Sequence, residues 1–132
     1  MREPQEVARE RAEELPGARP TAPFGPDWEV HKVHGKVFML LTEVTGEPIV
    51  ILKSDPVEST ALREQYRLIT PGYHMNKRHW ITLKPGNGEG LEEDLVRELV
   101  TESYRLVVAN NLPRKRWPID PETFGKPGIH PK

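Results

Sequence analysis

The stretch Trp28-Glu29-Val30-His31-Lys32-Val33-His34-Gly35-Lys36-Val37-Phe38-Met39-Leu40-Leu41-Thr42-Glu43-Val44-Thr45-Gly46-Glu47-Pro48-Ile49-Val50-Ile51-Leu52-Lys53 decides the fold. Residues 28–33 alternate with period two, as a half-buried strand does. His34-Gly35 supplies a tight turn, and residues 36–44 are nearly continuous in apolar character, which predicts a central strand. Thr45-Gly46-Glu47-Pro48 turns the chain again, and residues 49–53 make a third strand. A parallel crossover takes about a dozen residues or more, so connections this short predict an antiparallel meander.

Helical patterns flank this meander. Residues 4–15 are rich in Glu, Arg and Ala, accept Pro4 in a first turn and stop at Leu15-Pro16-Gly17. Their apolar face is thin (Val7, Ala8, Ala12, Leu15), so this helix needs docking on the rest of the chain. Residues 19–27, with Pro20, Pro23, Gly25 and Pro26, read as turns. Ser54-Asp55-Pro56 is an N-cap region that opens a second helix through Val57, Ala61, Leu62, Gln65 and Tyr66. Residues 79–84 alternate as a strand, and residues 85–90 form a flexible turn. Residues 91–112 carry the strongest helical periodicity, with Leu95, Leu99, Tyr104 and Val107 on one stripe and acids in the first turn.

The order α, three β, α, two β, α predicts an α+β two-layer sandwich, an antiparallel five-stranded sheet with helices on one face. Its domain is expected to span residues 1–112. Residues 113–132, interrupted by Pro113, Pro118, Pro121, Pro127 and Pro131, are expected to be an extended or disordered tail.

With 132 residues the chain suits one domain, and 36% hydrophobic against 30% charged residues is folded-protein composition on the polar side. The formal net charge is -1 and the pI about 6.5, so no global positive field drives nucleic-acid binding and any such contact has to be local. One local patch gathers Lys53, Arg63, Arg67, Lys77, Arg78 and Lys84, and another is Arg114-Lys115-Arg116. The absence of cysteine removes disulfides and thiolate chemistry. No apolar run approaches the ~20 residues that cross a bilayer. With no apolar signal segment near Met1, a cytoplasmic protein without membrane association is expected.

The most distinctive run is Pro71-Gly72-Tyr73-His74-Met75-Asn76-Lys77-Arg78-His79-Trp80, a turn signal followed by aromatics, histidines and paired cations. Together with Leu15-Pro16-Gly17, Phe24-Gly25, Trp28, Gly35-Lys36-Val37-Phe38, Lys53 ahead of Pro56, and Ser103-Tyr104, it resembles the MmcQ/YjbR family over residues from the first helix to Leu112. The resemblance implies a CyaY-like or secretion-chaperone-like α/β arrangement and a DNA-binding protein with a double-wing motif. It brings no catalytic residues.

Asn76-Lys77-Arg78 can project from a wing toward phosphates, with Asn76 tolerating left-handed backbone; the plain alternative is a solvated loop between strands. Tyr73 and Trp80 can stack on bases, but large aromatics beside a strand more often fill a core. His31, His34, His74 and His79 suggest a metal, yet zinc takes three or four converging ligands and no cysteine or carboxylate joins them. His74 and His79 are instead expected to hold the loop's shape by local hydrogen bonds. No serine or threonine stands in a nucleophile elbow, so no hydrolase is read.

The expected function is therefore a small non-enzymatic protein without cofactor or metal, binding double-stranded DNA weakly. The candidate contacts are Lys53, Asn76, Lys77, Arg78, His79, Arg114, Lys115 and Arg116. The alternative is a protein-binding or self-associating adaptor, such as a homodimer, using an open sheet face or an edge strand.

Overall fold

A computed structural model of the chain describes residues 2–22, 25–86 and 89–125. Phe24, the Asn87-Gly88 part of the expected turn, and the tail from residue 126 with Pro127 and Pro131 lie outside the described residues. The elements run α1 (Pro4–Glu13), β1 (Ala18–Thr21), β2 (Trp28–Val33), β3 (Lys36–Thr42), β4 (Ile49–Lys53), α2 (Pro56–Gln65), β5 (Ile69–Pro71), β6 (Trp80–Leu83) and α3 (Glu93–Asn111), then a 3-10 turn at Arg114–Arg116.

The fold is α+β, and its antiparallel sheet has six strands in the order β1-β2-β3-β4-β6-β5 rather than the expected five. The meander is present as β2, β3 and β4. The additional strand, β1, comes from the stretch read as turns. Pro20 there stands opposite His31 of β2, on a strand with one neighbour only, and a sheet edge tolerates a residue that cannot donate to a ladder. Beyond the meander, β6 pairs with β4 and places β5 at the other edge.

Alternation along β4 separates two apolar clusters. Val50 and Leu52 join Phe38, Leu41, Ile81 and Leu83 in the larger one, with Val7, Ala8 and Ala12 of α1 and Val96, Val100, Tyr104, Val107 and Val108 of α3. Ile49 and Ile51 join Val30 and Leu40 in a second cluster, packed by Trp28, Val37, Tyr73, Met75 and Trp80 and, among the described residues, by no helical one. The thin face of α1 thus finds its dock, and Gln5 adds a polar anchor by donating to the Thr42 and Ile49 carbonyls at 3.1 and 3.0 Å. Asp55 caps α2 through the Val57 and Glu58 amides, as its sequence position predicts.

Inside the larger cluster the Tyr104 hydroxyl donates to the Pro16 carbonyl at 2.6 Å, and burial pushes its pKa up to about 12. The described part of the proline-rich tail is docked chain. Trp117, Ile119 and Phe124 pack against the larger cluster, the Phe124 ring lies 5.7 Å from Tyr104, and Arg105 donates to the Pro121 carbonyl at 2.7 Å. Proline bars long regular elements here without barring packing, and residues 113–125 follow as mostly irregular chain laid against the domain.

Candidate nucleic-acid interface

The loop between β5 and β6 has an apolar side and a polar side. Gly72 opens it where the chain crosses Trp80: a Cβ on Gly72 would stand 2.6 Å from the Trp80 Cβ, so only glycine fits. The Tyr73 amide donates to the Thr82 hydroxyl at 2.9 Å, and that hydroxyl donates to the Pro71 carbonyl at 3.0 Å. This brings Tyr73 over the second cluster, stacked on Trp28 with ring centroids 6.3 Å apart and planes 13° apart. Tyr73 and Trp80 therefore serve packing, which is the reading their sequence context favoured.

The polar residues point outward. His74 adopts φ 60°, and Asn76 accepts from the Arg78 amide at 2.9 Å while its carbonyl accepts from the His79 amide at 3.2 Å. The His79 carbonyl accepts from the Ser54 amide at 2.8 Å, tying the loop's exit to the entry of α2. The backbone of His79, rather than its ring, carries the bonds observed here. Lys77 bends its ammonium back onto the Gly72 carbonyl. Asn76, Lys77, Arg78 and His79 are all exposed.

Lys77 and Arg78 meet a third cation that the candidate set omitted. A groove of about 410 Å³ is lined by Pro56, Val57, Thr60 and Arg63 of α2 and by Lys77 and Arg78 of the loop. The sequence places Arg63 in the basic patch, and its position beside the loop follows from helical spacing. Pro56, Thr60 and Arg63 stand at i, i+4 and i+7, one face of α2. The other candidates do not line this groove. Lys53 carries its ammonium to the Asn111 side chain at 3.1 Å, at the C-terminal end of α3. Arg114, Lys115 and Arg116 form the exposed turn after α3, with the Arg114 guanidinium over the Trp117 ring at 5.4 Å.

Charge pairing divides the surface. On α1 and α3, Arg9 pairs with Glu29, Arg11 with Glu14, Arg97 with Glu93 and Asp94, and Arg105 with Glu102; Arg2 bridges Glu10 and Glu93. The hydrogen bonds from Arg2 hold the Glu10 and Glu93 carboxyls below the usual carboxylate range. Among the described residues, no carboxylate lies within ion-pair distance of Lys53, Arg63, Lys77, Arg78, Arg114, Lys115 or Arg116. The described residues contain no cluster of three metal-ligating side chains and no helix long and apolar enough to cross a membrane.

Fold and loop together place the chain in the class of small α+β proteins, with a Pro-Gly-Tyr-His loop that here packs its aromatic side on the sheet and exposes its cations. Within that class the chain belongs to the YjbR family, whose model matches residues 13–106. It is 48% identical over 103 residues to the uncharacterized protein YbdF of Escherichia coli O157:H7, covering 78% of this chain and 83% of that protein. It is 34% identical over 92 residues to the uncharacterized protein YjbR of Escherichia coli K12, covering 68% and 75%. Among solved structures, Deinococcus radiodurans protein DR2400 matches with a TM-score of 0.76 at 28% identity, over 86% of this chain and 85% of that one. A Pseudomonas syringae protein matches with a TM-score of 0.64 at 25% identity, over 80% and 98%.

Proposed function

We propose that this protein binds DNA weakly and with little sequence preference, through phosphate contacts made by Lys77 and Arg78, with Lys53 and Arg114 to Arg116 as supporting cations. The observation that carries this reading is the division of charge. Cations of α1 and α3 are neutralised by carboxylates, whereas Lys77 and Arg78 at the loop, like Arg19, Lys32, Lys36 and Arg67 elsewhere, have no ion-pair partner among the described residues; at the loop they share a groove with Arg63 and are available to phosphate. Asn76 and His79 act by shaping the loop that carries them. The MmcQ/YjbR resemblance adds the double-wing description, in which this strand-loop-strand unit corresponds to a wing. A CyaY-like arrangement and a cytoplasmic location, where DNA is met, belong to the same reading.

The protein acts by binding and not by catalysis in this reading. The carboxylates with displaced ionisation, Glu10, Glu29 and Glu93, lie in ion pairs with arginines, the ordinary structural cause of such shifts. The adaptor reading is less well supported because both sheet edges are short and contain proline, Pro20 in β1 and Pro71 in β5. Such edges resist strand addition.

Fluorescence anisotropy with labelled duplex at rising salt tests the proposal. Affinity is expected to fall steeply with salt, and replacing Lys77 and Arg78 together by Ala should weaken it and flatten the salt slope by roughly one unit per cation. Binding unchanged by that double substitution overturns the proposal.

A further inference from the structure

We infer that the groove between α2 and the β5–β6 loop is a site for a single phosphate group, clasped by Arg63 from one wall and Lys77 and Arg78 from the other. The inference rests on the DNA reading only in naming a strand's backbone as the phosphate's source. A small phosphorylated molecule presents the same chemistry.

The walls are held against each other. The Ser54 amide donates to the His79 carbonyl at 2.8 Å, and Asp55 spends its carboxylate on the first amides of α2 at 3.1 and 3.3 Å. The spacing between Arg63 and the loop is thereby set before any ligand arrives, which lowers the ordering cost of binding. Among the described residues the guanidinium of Arg63 hydrogen-bonds to the hydroxyls of Ser59 and Thr60, both at 3.4 Å, long contacts that orient it without neutralising it. Lys77 rests on a neutral carbonyl and retains further donors. Val57, 79% exposed on the rim, offers an apolar surface for a sugar or similar group.

Carboxylates line the protein's other described grooves. One under α1 includes Asp27, Glu29 and Glu43, and another between α1 and α3 includes Glu14, Asp94, Glu98 and Glu102. The α2 groove gathers Arg63, Lys77 and Arg78 with no acid among its described lining residues. A carboxylate presents two oxygens in one plane. The tetrahedral oxygens of a phosphate meet the arginine fork from one wall and the lysine from the other, and a terminal phosphate also carries more charge than a carboxylate, whereas a backbone phosphodiester carries the same single charge.

The test uses the full chain, isotope-labelled for amide NMR, with pyrophosphate, a single-stranded oligonucleotide with and without a 5′ phosphate, and an oligoglutamate peptide as probes. Pyrophosphate is expected to shift the amides of Thr60, Arg63, Lys77 and Arg78, with affinity reduced about tenfold in R63Q and largely kept in R63K, since one charged contact is lost in the first and retained in the second. Preference for the 5′-phosphorylated oligonucleotide would assign the phosphate to a strand end, and equal binding of both oligonucleotides would assign it to the strand backbone; either supports the site. Pyrophosphate binding that survives alongside failure of the duplex experiment supports the site and moves the source to a small molecule. Duplex binding that depends on Lys77 and Arg78 but is indifferent to R63Q, with no pyrophosphate response in the groove, overturns this inference and leaves the DNA reading standing. Oligoglutamate bound as tightly as pyrophosphate overturns the assignment to phosphate.

Discussion

The hydroxyl of Ser103 in α3 donates to the carbonyl of Phe38 in β3 at 2.6 Å, and the same hydroxyl accepts from the Lys53 amide at 2.8 Å. It stands in for a missing rung. The β2–β3 register passes from His31↔Met39 to Lys32↔Val37, leaving Phe38 as the extra residue of a bulge, and the β3–β4 ladder ends at Met39↔Leu52. Phe38 and Met39 both enter the larger cluster as a result, and a helix side chain closes the gap between the strands.

Ser103→Ala would leave that amide and carbonyl without partners, each loss costing about 1–3 kcal/mol, so a destabilisation of about 2–4 kcal/mol is expected. Urea unfolding followed by circular dichroism should show a lower midpoint with an unchanged slope. A change below about 0.5 kcal/mol would mean that water or a local shift replaces the bridge.

His31 is expected to contribute to the acid sensitivity of the fold. Its ring is 2% exposed, and burial depresses its pKa below the ordinary imidazole value even though Glu29 accepts from Nε2 at 2.6 Å and opposes the shift. The unfolded chain therefore takes up a proton that the folded one resists, and stability falls as pH drops through about 6.5 toward the folded value. Glu29 acts lower down. Burial raises its pKa, but the hydrogen bonds from Arg9 and His31 outweigh burial and the net shift is downward, so its stabilisation is complete above the ordinary carboxylate value and lost as pH falls through the folded one. Thermal unfolding from pH 8 to pH 5 should show a decline that flattens in H31Q; the slope, rather than the absolute midpoint, is the readout. An identical slope in both proteins would remove His31 as the cause.

Phe124 and its neighbours make the tail part of the folded unit. Phe124→Ala is expected to cost about 1–3 kcal/mol, less than a fully buried phenylalanine because the residue is only partly buried. Truncation after Leu112, which also removes Trp117 and Ile119, should cost more. Equal melting temperatures for the truncated and full chains would place the fold's boundary at Leu112.

Much of the architecture is written in local patterns. The β2–β4 meander, the N-cap of α2 at Asp55 and the stripe of α3 all follow from residues within a few positions of one another. The sheet's sixth strand did not, because Pro20 masks a strand whose existence depends on β2 lying beside it. The candidate site was legible as a cationic loop. Its division into an apolar side on Val30, Leu40, Ile49 and Ile51 and an exposed side at Asn76, Lys77 and Arg78 was not, since the second cluster is assembled from distant strands.

By itself the amino-acid sequence determined the identity and order of most elements and the chemistry of the Pro71 to Trp80 run, because periodicity, turn residues and caps act between near neighbours. Tertiary structure alone decided that β6 lies beside β4, that Arg63 faces Lys77 and Arg78 across one groove, and that Ser103 reaches Phe38 across 65 residues of chain. Those relations depend on which surfaces pack together to bury apolar area. That choice is made by the whole chain at once and leaves no mark in any short window of it.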